Sequence, residues 1–193
     1  MTPSIHCNKT SSIFTHFFRR AVAFVLLLVP LACFANDHQF YDEKSGVVIS
    51  GLSWVDSIDS QAFSDRFTVF KLNPNQPRFF ATGALVDVGE RIDVTFIIDT
   101  LIDSSKSSYP DIAIVESQPV YGEFKNLSVS GVLVKAHFTG SKMKLCDTYV
   151  AYQLPDFTTF VLTLNSPVDE CLDRNSFLMD KIAEIVAHTS IEK

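Results

Sequence analysis

Glycine and proline are scarce in this chain, 7 and 8 of 193 residues. That excludes collagen-like repeats and Gly/Pro-rich low-complexity sequence. Charged residues make up only 20% against 47% apolar, too little charge and too much buriable surface for intrinsic disorder. The glycine-rich phosphate loop and the EF-hand calcium loop are both missing. The nearest approach to a nucleophile elbow, Gly51-Leu52-Ser53-Trp54-Val55, lacks the second glycine that lets a serine sit on a strained turn. Acidic residues are also missing from the first 36 positions, since all 22 lie at or beyond Asp37.

What fills that acid-free leader is a pattern. Lys9, Arg19 and Arg20 precede the apolar run 21–35 (AVAFVLLLVPLACFA). A basic n-region, a short h-region and a small-x-small end are the parts of a secretory signal peptide. The run would rise only about 22 Å as a helix, short of a hydrocarbon core of about 30 Å, and Pro30 interrupts it. The expected domains are therefore a signal peptide over 1–35, cleaved near Ala35, and one exported domain over 36–193. The alternatives are an uncleaved membrane anchor or a lipoprotein acylated at Cys33, although Leu31 is bulky where a lipobox has a small residue.

Beyond the leader, 13 of the 16 Lys and Arg residues face 22 acids, a net charge of −9. So acidic a protein is not expected to bind nucleic acid, which needs a basic surface to release counterions. Cys7 and Cys33 leave with the leader, and the remaining pair, Cys146 and Cys171, is expected to form a disulfide in an exported protein. Neither has a Cys or His at metal-ligand spacing, so no metal is expected.

Alternating apolar residues predict strands at 46–50, 66–72, 79–88, 91–98, 111–117, 127–138, 142–154 and 157–164. Residues 56–65 fit a helical turn or a loop, and 99–110 a polar loop with a helical turn. Pro155-Asp156 suits a tight turn. With a two-residue loop Tyr149 faces Leu162 and Val150 faces Val161, leaving both faces of that hairpin apolar and in need of cover. One cover is legible: Leu178, Ile182 and Ile185 recur at helical spacing within 176–189. The fold class is α+β, a mainly antiparallel sheet flanked by helices with a closing C-terminal helix.

The opening GVVISGLSWV, the strands LSVSGVLVKAHF and YVAYQLPDFTTFVLTLNSP, and the closing FLMDKIAEIVAHTSI resemble the PsbP-like fold, including envelope proteins of the DcrB type. The resemblance lies mainly in the last third of the chain. It implies an α/β/α sandwich used as a docking or assembly module, usually without catalysis.

Candidate sites are few. His38, His137 and His188 remain beyond the leader and none has a motif partner for general-base work. Asp99, Asp103 and Asp111 match no calcium-loop spacing and read as a solvated acidic loop. Lys135, His137, Lys142 and Lys144 gather near one hairpin turn as a candidate interaction patch for an anionic partner or a membrane surface. No catalytic residue and no cofactor is expected. The expected function is a periplasmic or secreted, non-catalytic module that docks on an envelope protein through a sheet face or the 99–111 loop. A carrier of a small apolar ligand or lipid is the alternative, and a hydrolase with an unfamiliar site is the third reading.

Overall fold

The computed structural model describes residues 38–75, 79–106, 109, 111–138, 145–172 and 177–192. The leader with Cys33 and Ala35 lies outside them, as do Lys142 and Lys144. No described helix is long and apolar enough to cross a membrane.

The chain opens with a hairpin of β1 (Gln39–Asp42) and β2 (Val47–Ser50). Its turn is built by Asp42, whose carboxylate accepts from the Ser45 amide and hydroxyl at 2.8 and 2.7 Å. Gly46 then takes φ 69°, a conformation that disfavours any side chain. Next, β3 (Val55–Ser64), β4 (Phe67–Pro74) and β5 (Phe80–Asp87) form a meander. Helix α1 (Val94–Lys106) carries the chain from β5 to the far edge of the same sheet. From there β6 (Ile112–Phe124), β7 (Leu127–Phe138), β8 (Leu145–Gln153) and β9 (Thr158–Pro167) walk back until β9 pairs with β5. The result is one antiparallel seven-stranded sheet in the order β3-β4-β5-β9-β8-β7-β6. Two helices, α2 (Val168–Leu172) and α3 (Phe177–Ala187), and the short β10 (Thr189–Ile191) close the chain. β10 pairs with β2, giving a second sheet in the order β1-β2-β10.

Both faces of the large sheet are apolar and both are covered. On one, Leu85, Leu133, Val150, Phe160 and Leu162 pack with Phe40, Val47 and Ile49 of the small sheet and Leu178, Ile182 and Ile185 of α3. Phe40, Phe70 and Phe160 run through this layer at centroid spacings of 4.6 and 5.9 Å. Gly83 makes room for the middle ring, because a β-carbon there would overlap Phe70. On the other face, Val86, Val134, Tyr149, Ala151 and Val161 meet Val94, Ile97, Ile98 and Ile102 of α1. Each fully buried isoleucine contributes roughly 1.5–3 kcal/mol, so this stripe alone anchors α1. The α+β class and the closing helix are as the sequence predicts.

Four expectations are corrected. Residues 56–65 are neither a helical turn nor a loop but most of β3, whose polar run pairs with β4, and 99–106 of the expected loop continue helix α1. Residues 91–98 are not a strand: α1 starts at Val94. Asp93 caps it, its carboxylate accepting from the Thr95 amide at 2.9 Å and its carbonyl from Phe96 at 3.0 Å. The alternation of Ile92, Val94, Phe96 and Ile98 competes with the helical stripe Val94, Ile97, Ile98, Leu101 and Ile102, and the longer stripe wins because it buries. The β8–β9 register also shifts by one, with Tyr149 opposite Thr163, Val150 opposite Leu162 and Cys146 opposite Ser166. The loop has three residues rather than two, since the Leu154 amide bonds the Thr158 carbonyl at 2.8 Å and Phe157 takes φ 68°. A one-residue slip exchanges faces, so Val150, Tyr152, Phe160 and Leu162 share one side and Tyr149, Ala151 and Val161 the other.

Candidate functional site

The residues singled out in the sequence are dispersed. Lys135 lies on β7 opposite Thr148 and Glu116. It is 2% exposed, with its ammonium 3.0 Å from the Glu116 carboxylate. It is therefore no surface cation, and Lys142 and Lys144 of the expected patch lie outside the described residues. His137 is half-buried opposite Cys146. His188 sets Nδ1 2.9 Å from the Ser50 carbonyl, and Ser53 donates instead to Glu184 at 3.4 Å. Among the described residues no histidine bonds a serine hydroxyl or a carboxylate, and no three His, Cys, Asp or Glu side chains converge as a metal site would. Asp103 pairs with Lys106 at 2.7 Å. Cys146 and Cys171 stand at disulfide distance, Cα–Cα 6.0 Å, tying β8 to α2.

The β6 edge of the large sheet carries exposed apolar side chains. β6 is the last strand, hydrogen-bonded on one side to β7 alone. Along it Ile114 is 54%, Val115 46% and Tyr121 84% exposed. Pro119 and a register shift between Ile114 and Glu116 interrupt its outer edge. Such interruptions discourage indiscriminate strand addition and leave the side chains as the available contact surface.

Tyr121 pairs in register with Ser130, and Ser130 belongs to a neighbouring groove. This groove, about 210 Å³, lies where β7 begins and β8 turns into β9, and Arg91 closes one side. Ser128 on its wall donates to Glu123 at 2.8 Å. Gln153 donates Nε2 to the carbonyls of Leu154 and Thr158 at 3.3 and 3.1 Å, while its Oε1 is buried with no donor. Nothing in the local sequence marks this groove, because its lining comes from three separate segments.

A third polar cluster sits beneath α1. Asp147 accepts from the Tyr149 hydroxyl at 2.8 Å and from the Asn165 amide. Burial pushes its carboxyl above the ordinary range, and those two hydrogen bonds offset only part of that. Burial and the adjacent Asp147 raise Tyr149 in turn. The cluster is satisfied and enclosed, so it holds the sheet together and offers no accessible acid or base.

Comparison with protein-family models gives no match for this chain, and comparison with curated proteins gives none either.

Proposed function

We propose that this protein is an exported, non-catalytic docking module whose contact surface is the β6 edge. The observation that carries the reading is the exposure of Ile114, Val115 and Tyr121 along a strand that, among the described strands of its sheet, pairs with β7 alone. Large exposed aromatics at a surface centre are the usual anchors of protein contacts. The signal-like leader and the cysteine pair at disulfide distance support an oxidising, extracytoplasmic location. The PsbP-like resemblance supports assembly rather than catalysis.

The test is site-specific photo-crosslinking in the native envelope, with the photoreactive residue placed at 121 or, as a control, at Phe63 on the opposite sheet edge. A single adduct from position 121, absent from position 63 and abolished by Ile114→Ser/Val115→Ser in the same chain, supports the module. Equal labelling from both edges would sink it.

A further inference from the structure

The groove between Arg91 and the β8–β9 turn presents an exposed cation and a buried, unpaired acceptor. Arg91 is exposed and makes no hydrogen bond or ion pair with the described residues. Gln153 Oε1 is a buried acceptor without a donor, and both Nε2 bonds go to backbone carbonyls, which fixes which end of the amide faces the cavity wall. A buried acceptor without a partner loses its solvation and regains nothing until a donor arrives. Leu127, Val129 and Phe157 supply apolar wall between these groups.

Phe157 also lines the groove. Its backbone holds φ 68°, a left-handed conformation unusual for a bulky residue, and its side chain is 47% exposed. The cavity, about 210 Å³, is smaller than the roughly 300–1,000 Å³ of drug-sized sites, so it fits one side chain and its terminal group. Two carboxylates bond residues in or next to this lining. Glu123 bonds Ser128, and Asp156 accepts from the Thr158 amide at 3.2 Å. A ligand that meets both Arg91 and Gln153 Oε1 carries an anionic acceptor and a donor.

We infer that this groove binds an α-amino carboxylate group. The carboxylate pairs with Arg91, the adjacent N–H reaches Gln153 Oε1 when Phe157 turns aside, and the side chain lies on Leu127 and Val129. That group is found in a free amino acid and at the C-terminus of a polypeptide. The inference stands apart from the β6 docking surface, and neither needs the other.

Calorimetric titration of the purified protein with N-acetyl-leucine, leucine, N-acetyl-leucinamide and N-acetyl-N-methyl-leucine tests it. The acid is expected to bind about tenfold or more tightly than its amide, because a charge-assisted contact is lost. The N-methyl compound, without the N–H, is expected to weaken comparably. Arg91→Gln should remove the acid's advantage with an unchanged thermal midpoint, since that side chain has no partner among the described residues to lose. Tighter binding of leucine assigns a free amino acid as the source, and tighter binding of N-acetyl-leucine assigns a chain terminus. Equal affinity for acid and amide, indifference to Arg91→Gln, or no binding by either acid overturns the inference. Tyr121→Ser should leave these affinities unchanged, which separates this site from the docking surface.

Discussion

Lys135 and Glu116 face each other across the β6–β7 ladder, ammonium to carboxylate at 3.0 Å, with side-chain exposures of 3% and 29%. The lysine is the buried partner, and the glutamate lies nearer the open edge. Removing only Glu116 strands a buried charge, whereas replacing both partners with apolar groups does not. Glu116→Ala is therefore expected to destabilise by about 1–3 kcal/mol in urea unfolding. The pair Lys135→Met/Glu116→Leu should fall within about 1 kcal/mol of the parent protein. A double variant no more stable than Glu116→Ala would show that the lysine needs no partner.

Cys146 and Cys171 are 25 residues apart in sequence. Closing that loop contributes about 3.5 kcal/mol in the chain-entropy account. Alkylation of the native protein followed by intact-mass analysis should find neither thiol labelled until reductant is added. Reduction should then lower the unfolding midpoint, and Cys146→Ala/Cys171→Ala should reproduce the reduced value.

Two carboxylates respond to acid in opposite directions. Asp147 is raised by burial, so the folded state holds its proton more tightly than the unfolded chain does. Its contribution is present at low pH and is lost as pH rises from the unfolded value through the folded one. Asp87 is lowered, chiefly by its hydrogen bond from Lys44, with the Gly89 amide assisting. Its contribution is present above the unfolded value and is lost as pH falls through the folded one. Asp147→Asn should flatten the first trend and Lys44→Met the second, read as urea midpoints across the acid range. The same pH slope in Asp147→Asn as in the parent protein would remove Asp147 from the account.

Phe157 occupies the left-handed position of a three-residue hairpin loop, where glycine is the usual choice. Left-handed backbone costs a side-chain-bearing residue roughly 1–2 kcal/mol, and glycine returns up to about 1 kcal/mol of that as unfolded-state entropy. Phe157→Gly should leave stability equal or up to about 1 kcal/mol higher in urea unfolding. A clear loss would mean that the ring's contacts outweigh the strain.

Legibility in the sequence followed how local each signal was. Strands β7 to β9 and helix α3 declare themselves because their apolar period is uninterrupted. Helix α1 misleads because Val94 and Ile98 satisfy a period of two and a period of 3.6 alike. β3 stays hidden because it is an edge strand with only Ile58 fully buried, so its polar run looks like a loop. The β8–β9 register slips because a phenylalanine, not a glycine, takes the left-handed turn position. The groove is not legible at all, since Arg91, Ser130 and Gln153 meet only after α1 has crossed the sheet and β8 has paired with β7.

β2 lies between strands from opposite ends of the described chain, β1 at residues 39–42 and β10 at 189–191. The Gly46 carbonyl accepts from the Glu192 amide at 2.8 Å, extending that junction into the hairpin turn. A chain emerging N-terminus first can form the β1–β2 hairpin early, but its second edge stays unpaired until the last strand arrives. Pairing across so long a sequence interval is slow. Until then β2 offers an unsatisfied row of backbone groups, the window in which a chaperone would act and in which misassembly would begin.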